Sequence, residues 1–538
     1  MISGIPLDSK TLIFEKNKSM KQQKTEHIKD ESQKTGISRR SFIAMTGIGF
    51  GLVTGTTGCD GRPSGGEGWI PVQYEDKGNL PPQVRGRVSI SPHNPSIFRD
   101  DQKCILCGQC ADVCTKVEEV MGNYEFPVVD DILCIGCGQC TLCCPTGAIT
   151  EKSGIEAMLK ALADPDVHVV VQTAPSTRVA LAEEFGQPVG TNVEEQQVAG
   201  LRALGADAVF DTNFTADLTI MEEAAELVKR MTGKLDAPIP MFTSCCPGWV
   251  KYCEYFYPEL LPNLSTAKSP MGMLSSLIKT FYAKERGIEP KKIFSVAIMP
   301  CTAKKFEAVR PEMNNAGVHL GDKNIRDTDL VLTTRELAQL LKIKGIDLMK
   351  LVPGSYNNLM SEYSGGGAIF GATGGVMEAA VRTAYFMITG ENPPESLYKL
   401  EPIRGLSGIK SAELDIPTVG KVRIAVVVGM ANANKALAKI KDGSADWHFV
   451  EFMACPGGCI SGGGQPKSSL PPSDADRIAR SNALYTIDEK ATLRLCHENQ
   501  EIKSLYAGFL SDEHLPHELL HTHHYEDRSK HFHPKKSS

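Results

Sequence analysis

The chain is 538 residues long, enough for roughly three or four domains around a sizeable core. Its formal net charge of −6 is weak for that length and excludes a basic nucleic-acid binder. Seventeen cysteines could suit a disulfide framework, but their tight Cys-x-x-Cys runs are metal spacing.

Residues 1–37 are polar and lysine-rich without an apolar period, so disorder is expected there. Ser38-Arg39-Arg40-Ser41-Phe42-Ile43 follows, ahead of an uncharged run from Ala44 to Gly58. Paired arginines before a modest apolar segment resemble a twin-arginine export signal; the bland alternative is a basic pair ahead of a buried helix. The run is glycine-rich and short for a membrane span, which needs about 20 residues. Thr56-Thr57-Gly58-Cys59 resembles a lipobox, with Cys59 lipidated after cleavage. Thr56 stands where an aliphatic residue is usual, so lipidation and simple cleavage nearby both stay open. Residues 60–90, rich in Gly and Pro, read as a linker.

Cys104, Cys107, Cys110 and Cys114 follow Cys-x2-Cys-x2-Cys-x3-Cys, and Cys134, Cys137, Cys140 and Cys144-Pro145 repeat it 30 residues on. This is the two-cluster bacterial ferredoxin pattern, in which the fourth cysteine of each run ligates the other cluster. One [4Fe–4S] cube is therefore expected on Cys104, Cys107, Cys110 and Cys144, the other on Cys134, Cys137, Cys140 and Cys114. The repeat implies a small pseudo-symmetric α+β module over residues 91–152. Zinc is the alternative, disfavoured by four cysteines per run at this pitch. Cys143 is an extra thiol without an assigned role. It is expected, with Cys253 and Cys496, to be a small buried residue.

From about residue 153 strands alternate with helices, which argues for α/β layers. Val167–Gln172, Ile293–Ile298, Thr328–Leu332 and Arg423–Gly429 are short β-branched runs of the buried parallel-strand type. Helical patterns lie between them, including Met221–Met231 and Thr334–Leu341. Gly365-Gly366-Gly367 and Gly374-Gly375 flank Phe370 without a following Lys-Ser/Thr, so a nucleotide cradle is disfavoured and close packing around a cofactor preferred.

Three stretches carry the densest chemistry. They are Thr243-Ser244-Cys245-Cys246-Pro247-Gly248-Trp249, Met299-Pro300-Cys301-Thr302-Ala303-Lys304-Lys305-Phe306-Glu307, and Glu451-Phe452-Met453-Ala454-Cys455-Pro456-Gly457-Gly458-Cys459 with Gly462-Gly463-Gly464-Gln465-Pro466. Adjacent cysteines usually diverge, so one of Cys245 and Cys246 is expected to ligate while its neighbour stays free. Cys455 and Cys459 at i, i+4 are expected on one face of a helical turn. Gly457 and Gly458 let a bulky group approach the backbone. One ligand each from the first two stretches and two from the third make four thiolates, the complement of a [4Fe–4S] cube.

These stretches resemble, in order and nearly letter for letter, the three signatures of the [FeFe]-hydrogenases, and the resemblance runs from about residue 91 to 528. It implies a two-lobed α/β catalytic domain over residues 153–490, each lobe a parallel sheet with flanking helices, and a small-subunit-like segment over 491–538. The preceding parts would be residues 1–58 as signal and 59–90 as linker. It implies an H-cluster, a [4Fe–4S] cube joined through a cysteine sulfur to a di-iron unit with CO, cyanide and azadithiolate. Cys246, Cys301, Cys455 and Cys459 would hold the cube, with Cys459 bridging. Pro175, Ser176, Met299, Met453 and Phe370 would line it, and Lys304 would hydrogen-bond an iron-bound cyanide. Paired glutamines often follow Ser-Pro in the family, whereas Met271-Gly272 stands here, which leaves a polar contact from position 271 in doubt.

Glu223 and Glu226, at i, i+3 on one helix face with Arg230 a turn on, resemble the family's proton relay. It would run Cys245, Glu223, Ser265, Glu226. The implied function is reversible H2 cleavage, with uptake expected, on the outer face of the membrane or in the periplasm. The implied partners are a c-type cytochrome, ferredoxin or membrane subunit, with hydrogenase maturation proteins and the twin-arginine translocase. Sensory hydrogenases and hydrogenase-like iron–sulfur assembly factors share the motifs in part. Seven histidines crowd His514 to His533; a structural wrap over the large domain is preferred there to metal binding.

Overall fold

The computed structural model describes residues 86–121, 124–125, 132–522, 524–531 and 533–534. The twin-arginine motif, the apolar run to Gly58 and Cys59 lie outside the described residues. Among the described residues no helix is long and apolar enough to cross a membrane.

Two four-stranded sheets carry the main body. The first runs Ala208–Asp211, His168–Thr173, Ile293–Met299, Leu330–Thr333, with every pair parallel. Val169, Val170 and Val171 are buried, as expected for a strand covered on both faces. The second runs Met241–Phe242, Phe449–Met453, Gly420–Val428, Gly408–Ile416. Its first two pairings are parallel, but Gly408–Ile416 pairs antiparallel with Gly420–Val428, so the expected all-parallel second lobe is corrected to a mixed sheet. The reason is local: a turn of three residues, with Thr418 at φ +69°, joins the two strands, and so short a connection permits only antiparallel pairing.

The helix expected at Met221–Met231 is the second half of a 20-residue helix, Thr212–Met231, capped by Asp211 accepting from the Asn213 amide. Every residue from Thr212 to Ile220 is buried, which erases the one-sided period that reveals a surface helix. Thr334–Ile343 starts in a capping box between Thr333 and Glu336.

The cysteine-rich segment pairs Ile97–Arg99 with Ile149–Glu151 and carries two short helices, Gln109–Lys116 and Gln139–Cys143. Each helix follows a left-handed glycine, Gly108 or Gly138. The expected linker ends earlier than residue 90, because Val88 is buried against this segment and its amide donates to Cys110 Sγ at 3.3 Å.

The C-terminal segment wraps the large domain. Leu519 and Leu520 are fully buried, and the Leu520 carbonyl accepts from the Lys268 amide at 2.8 Å. Lys268 Nζ donates to Asp327 at 2.8 Å and to the Leu519 carbonyl at 3.3 Å. Cys253 and Cys496 are buried as expected, whereas Cys143 is only half-buried, since the loop beyond its short helix faces outward.

Trp249, the last residue of the double-cysteine stretch, is fully buried, stacks on Phe452 at 3.9 Å and donates Nε1–H to the Thr243 carbonyl. It locks the double-cysteine turn onto the second sheet. Trp249→Ala should therefore destabilise the protein by about 3–5 kcal/mol, read as a lowered denaturant midpoint under anaerobic conditions; an unchanged midpoint would refute this anchoring role.

Candidate active site

In open α/β sheets, ligand sites form beyond the carboxyl ends of the strands. Here the carboxyl ends of both sheets meet at one cavity. Strand His168–Thr173 leads into Ala174-Pro175-Ser176, Ile293–Met299 into Pro300-Cys301, Met241–Phe242 toward Cys245-Cys246, and Phe449–Met453 into Ala454-Cys455. The space between them, counted out to the open solvent at its mouth, amounts to about 740 Å³.

Cys245, Cys246, Cys301, Cys455 and Cys459 line this cavity together with Lys304. Pro175, Ser176, Met299, Met453 and Phe370 line it too, so the predicted site residues converge from five separate stretches. Met271 also faces it; its side chain is apolar, and only its carbonyl makes a polar contact, accepting from Gln172 Nε2 at 3.2 Å. The expected helical turn for Cys455 and Cys459 is corrected. Gly457 and Gly458 sit at φ +79° and +89°, which no L-residue helix allows, and a 3-10 turn begins only at Cys459. A Cβ on Gly458 would come within 2.8 Å of the Thr373 amide nitrogen. The other glycine expectation shifts as well. A Cβ on Gly366 would meet Cys496 Sγ at 2.9 Å and one on Gly367 the Asn213 carbonyl at 2.7 Å, so that loop packs against neighbouring segments behind the cavity. Gly371, Gly458 and Gly462 are the glycines on the cavity wall.

Burial raises the thiols, Cys301 to about 12 and Cys245 and Cys455 far above their ordinary value. Such thiols stay protonated until a metal displaces the proton. Burial opposes the charge of Lys304, but the Glu307 carboxylate 2.5 Å away overrides it and holds the ammonium above its ordinary value. Lys304 Nζ also donates to the Cys245 carbonyl at 3.1 Å. Ser176 Oγ is buried and finds no hydrogen-bond partner among the described residues. Four thiols, one cation and an unpartnered hydroxyl in an apolar cavity fit an iron–sulfur group with small polar ligands.

Behind Cys245 stands Glu223, buried on helix Thr212–Met231, its carboxyl pushed up to about 8 by burial and by Glu226. Its Oε2 has no partner among the described residues. Ser265 Oγ donates to Glu226 Oε2 at 2.8 Å, and Arg230 donates to Glu226 Oε1 from Nε at 3.1 Å. Arg230 also spends its N–H groups on the carbonyls of Pro238, Pro262, Asn263 and Leu264, so it clamps the helix end.

Two smaller cavities lie in the cysteine-rich segment. Cys104, Cys107, Cys110 and Cys144 line one; Cys134, Cys137, Cys140 and Cys114 line the other, each run lending its last thiol to its neighbour's group. Glu118, absent from the sequence reading, lines the second, with both oxygens unpartnered among the described residues and its carboxyl pushed up to about 8 by burial. Glu307 ends the second stretch, and its i, i+3 spacing from Lys304 is the signal for their pairing. Glu451 stands in the third stretch, but its partners at Gly374 and Met377, like the His521 partner of Thr266, come from distant segments that spacing does not link.

The comparisons with known proteins agree with this geometry. The family described as "Iron only hydrogenase large subunit, C-terminal domain" matches residues 167–463, and "Iron hydrogenase small subunit" matches 474–528. The small-subunit match begins at Asp474 and takes in helix Asp474–Lys490. Iron hydrogenase 1 of Clostridium pasteurianum is 41% identical over 472 residues, covering 84% of this chain and 80% of that protein. The periplasmic [Fe] hydrogenase large subunit of Nitratidesulfovibrio vulgaris is 45% identical over 370 residues, 68% of this chain and 85% of that one. A cytosolic Fe-S cluster assembly factor of Danio rerio is similar at 30% identity over 365 residues, 66% of this chain and 85% of its own. Among solved structures, [FeFe]-hydrogenase HydA1 from Chlamydomonas reinhardtii matches at 42% identity with a TM-score of 0.62, over 70% of this chain and all of that one. With both family matches in chain order and the cavity lined by the cysteines of all three signatures, this chain belongs to the iron-only hydrogenase family.

Proposed function

We propose that this protein is an [FeFe]-hydrogenase interconverting H2 with two protons and two electrons. The observation that carries the reading is the convergence of four buried thiols, Lys304 and Ser176 on one cavity whose fifth thiol, Cys245, leads to buried carboxyls. Cys246, Cys301, Cys455 and Cys459 would hold the cube of an H-cluster. When bound, that group supplies the metal-centred splitting and formation of H2. Lys304, pinned by Glu307, presents cationic N–H donors to the small anionic ligands, and Ser176 Oγ adds a hydroxyl donor. Pro175, Met299, Met453 and Phe370 exclude water.

Cys245 passes the proton. Its high pKa keeps it a thiol, able to donate only as it is re-protonated. Glu223, at about 8, is mostly protonated at neutral pH and holds the next proton. Ser265 Oγ, hydrogen-bonded to Glu226, is the hydroxyl that would pass the proton onward from Glu223, and Arg230 positions Glu226. The two crossed cysteine groups over residues 91–152 would hold two further [4Fe–4S] cubes, the chemistry that passes electrons between an H-cluster and the surface.

Export through the twin-arginine route, H2 uptake, and a c-type cytochrome, ferredoxin or membrane subunit as acceptor complete the proposal. Arg39-Arg40 supports the route, and the 45% identity to a protein named as periplasmic supports the place.

Protein matured anaerobically should take up H2 with a dye acceptor; iron-loaded protein without H2 chemistry would point instead to an assembly function. Cys459→Ser should lose the infrared bands of iron-bound CO and cyanide while keeping the signals of the two ferredoxin-type cubes, and full activity in that variant would sink the ligand assignment. Cys245→Ala should keep its iron and lose about 10²–10⁴-fold in turnover. Glu223→Gln should behave alike, because an amide cannot pass a proton by ionising; near-normal rates in both would show another route. Cell fractionation should find the protein outside the cytoplasm, and replacing Arg39 and Arg40 with lysines should retain it inside. Cytoplasmic protein with both arginines intact would remove the basis for export.

A further inference from the structure

Glu226 is only 5% exposed, so a relay that stops there has not delivered its proton to water. Arg230 is no outlet: a guanidinium carries no acceptor and stays protonated, and its N–H groups are already engaged. A different branch leaves the same carboxylate. Glu226 Oε2 accepts from Thr266 Oγ1 at 3.3 Å, and Thr266 Oγ1 lies 2.8 Å from His521 Nδ1. His521 Nε2 in turn lies 3.1 Å from Glu222 Oε2. Along this branch side-chain exposure rises from 5% at Glu226 and His521 to 16% at Glu222.

We propose that Thr266, His521 and Glu222 form the outlet of the proton relay, so that the C-terminal segment contributes a proton carrier to the catalytic domain. This rests on the hydrogenase reading above. In the outward direction, the proton on Glu226 moves to Thr266 Oγ1 as the Thr266 hydrogen moves to His521 Nδ1. The hydrogen on Nε2 then leaves to Glu222. One proton enters, one departs and no electron moves; the reverse sequence serves H2 production. Imidazole suits the step because its two nitrogens accept and donate on opposite edges near neutral pH.

The surroundings hold the branch in place. The Thr522 amide donates to the Thr266 carbonyl at 2.8 Å, and Ala267 and His521 pair as an antiparallel bridge, which fixes the ring against Thr266. Tyr506 hydroxyl donates to Glu222, and the His517 ring lies 4.7 Å from that of His521. Burial raises the Glu222 carboxyl, but the hydrogen bonds from His521 and Tyr506 and nearby Lys229 outweigh it, so it is held below its ordinary value as an ionised acceptor.

The test uses the matured holoenzyme with His521→Ala and the near-isosteric Thr266→Val. Both should retain iron content and CO and cyanide infrared bands, yet lose about tenfold or more in dye-linked H2 uptake. The solvent isotope effect should rise in both, and added imidazole should restore turnover to His521→Ala but not to Thr266→Val. Turnover within about twofold of normal in Thr266→Val, or a loss without isotope effect or imidazole rescue, overturns the outlet. If Cys245→Ala abolishes turnover while these variants keep it, the outlet fails and the hydrogenase reading stands. If the unaltered holoenzyme has no H2 turnover, both fall.

Discussion

The structure depends on bringing the carboxyl ends of two sheets to a single cavity. Thiols and a lysine are costly to bury, and each is tolerated only when a partner or a bound group compensates. Strands suit this task because a hydrogen-bonded ladder fixes where each strand stops, and hence where its following loop projects. Pro175, Cys301 and Cys455 all lie within two residues of a strand end. A slip of one residue in any strand would turn its cavity-facing side chains toward the opposite face. The all-parallel first sheet, buried on both sides, leaves little room for such a slip.

A second constraint is electrostatic. Lys304 keeps its charge in an apolar cavity because Glu307 sits one helical turn away on Ala303–Val309. Lys268 pairs with Asp327 at 2.8 Å one layer out, and Glu254 receives both Arg310 and Arg528. Breaking one partner of such a buried pair strands a charge, so each pair penalises any arrangement that separates them. Arg528 and the Leu519 carbonyl both come from the C-terminal segment. The pairs thus fix that segment in register, and with it His521 against Thr266. In a family where this part can be a separate subunit, covalent fusion makes the docking intramolecular.

The cysteine stretches, their order and their crossed grouping were legible because spacing along the chain determines which thiols can share one group. The Lys304 motif and the Glu223, Glu226, Arg230 face were legible because helical periodicity links residues three and four apart. The buried first half of Thr212–Met231 was not, since a helix covered all round has no periodic stripe. The antiparallel edge Gly408–Ile416 was missed although its turn of three residues is in plain view; attention to buried β-branched runs passes over an edge strand that is half exposed.

By itself the sequence determined the chemistry: which sulfurs exist in ligand-like spacing, which glycines free the backbone, and which strands are buried enough to be parallel. Only the tertiary structure decided what those groups face. Thr266, 255 positions before His521 along the chain, meets it at 2.8 Å, and Glu451 caps the turn at Gly374 across 77 positions. Contacts of that kind depend on how the sheets, the long helix and the C-terminal segment pack in three dimensions. Local periodicity carries no record of them, because a side chain's neighbours across a domain interface are set by the whole fold and not by the residues beside it.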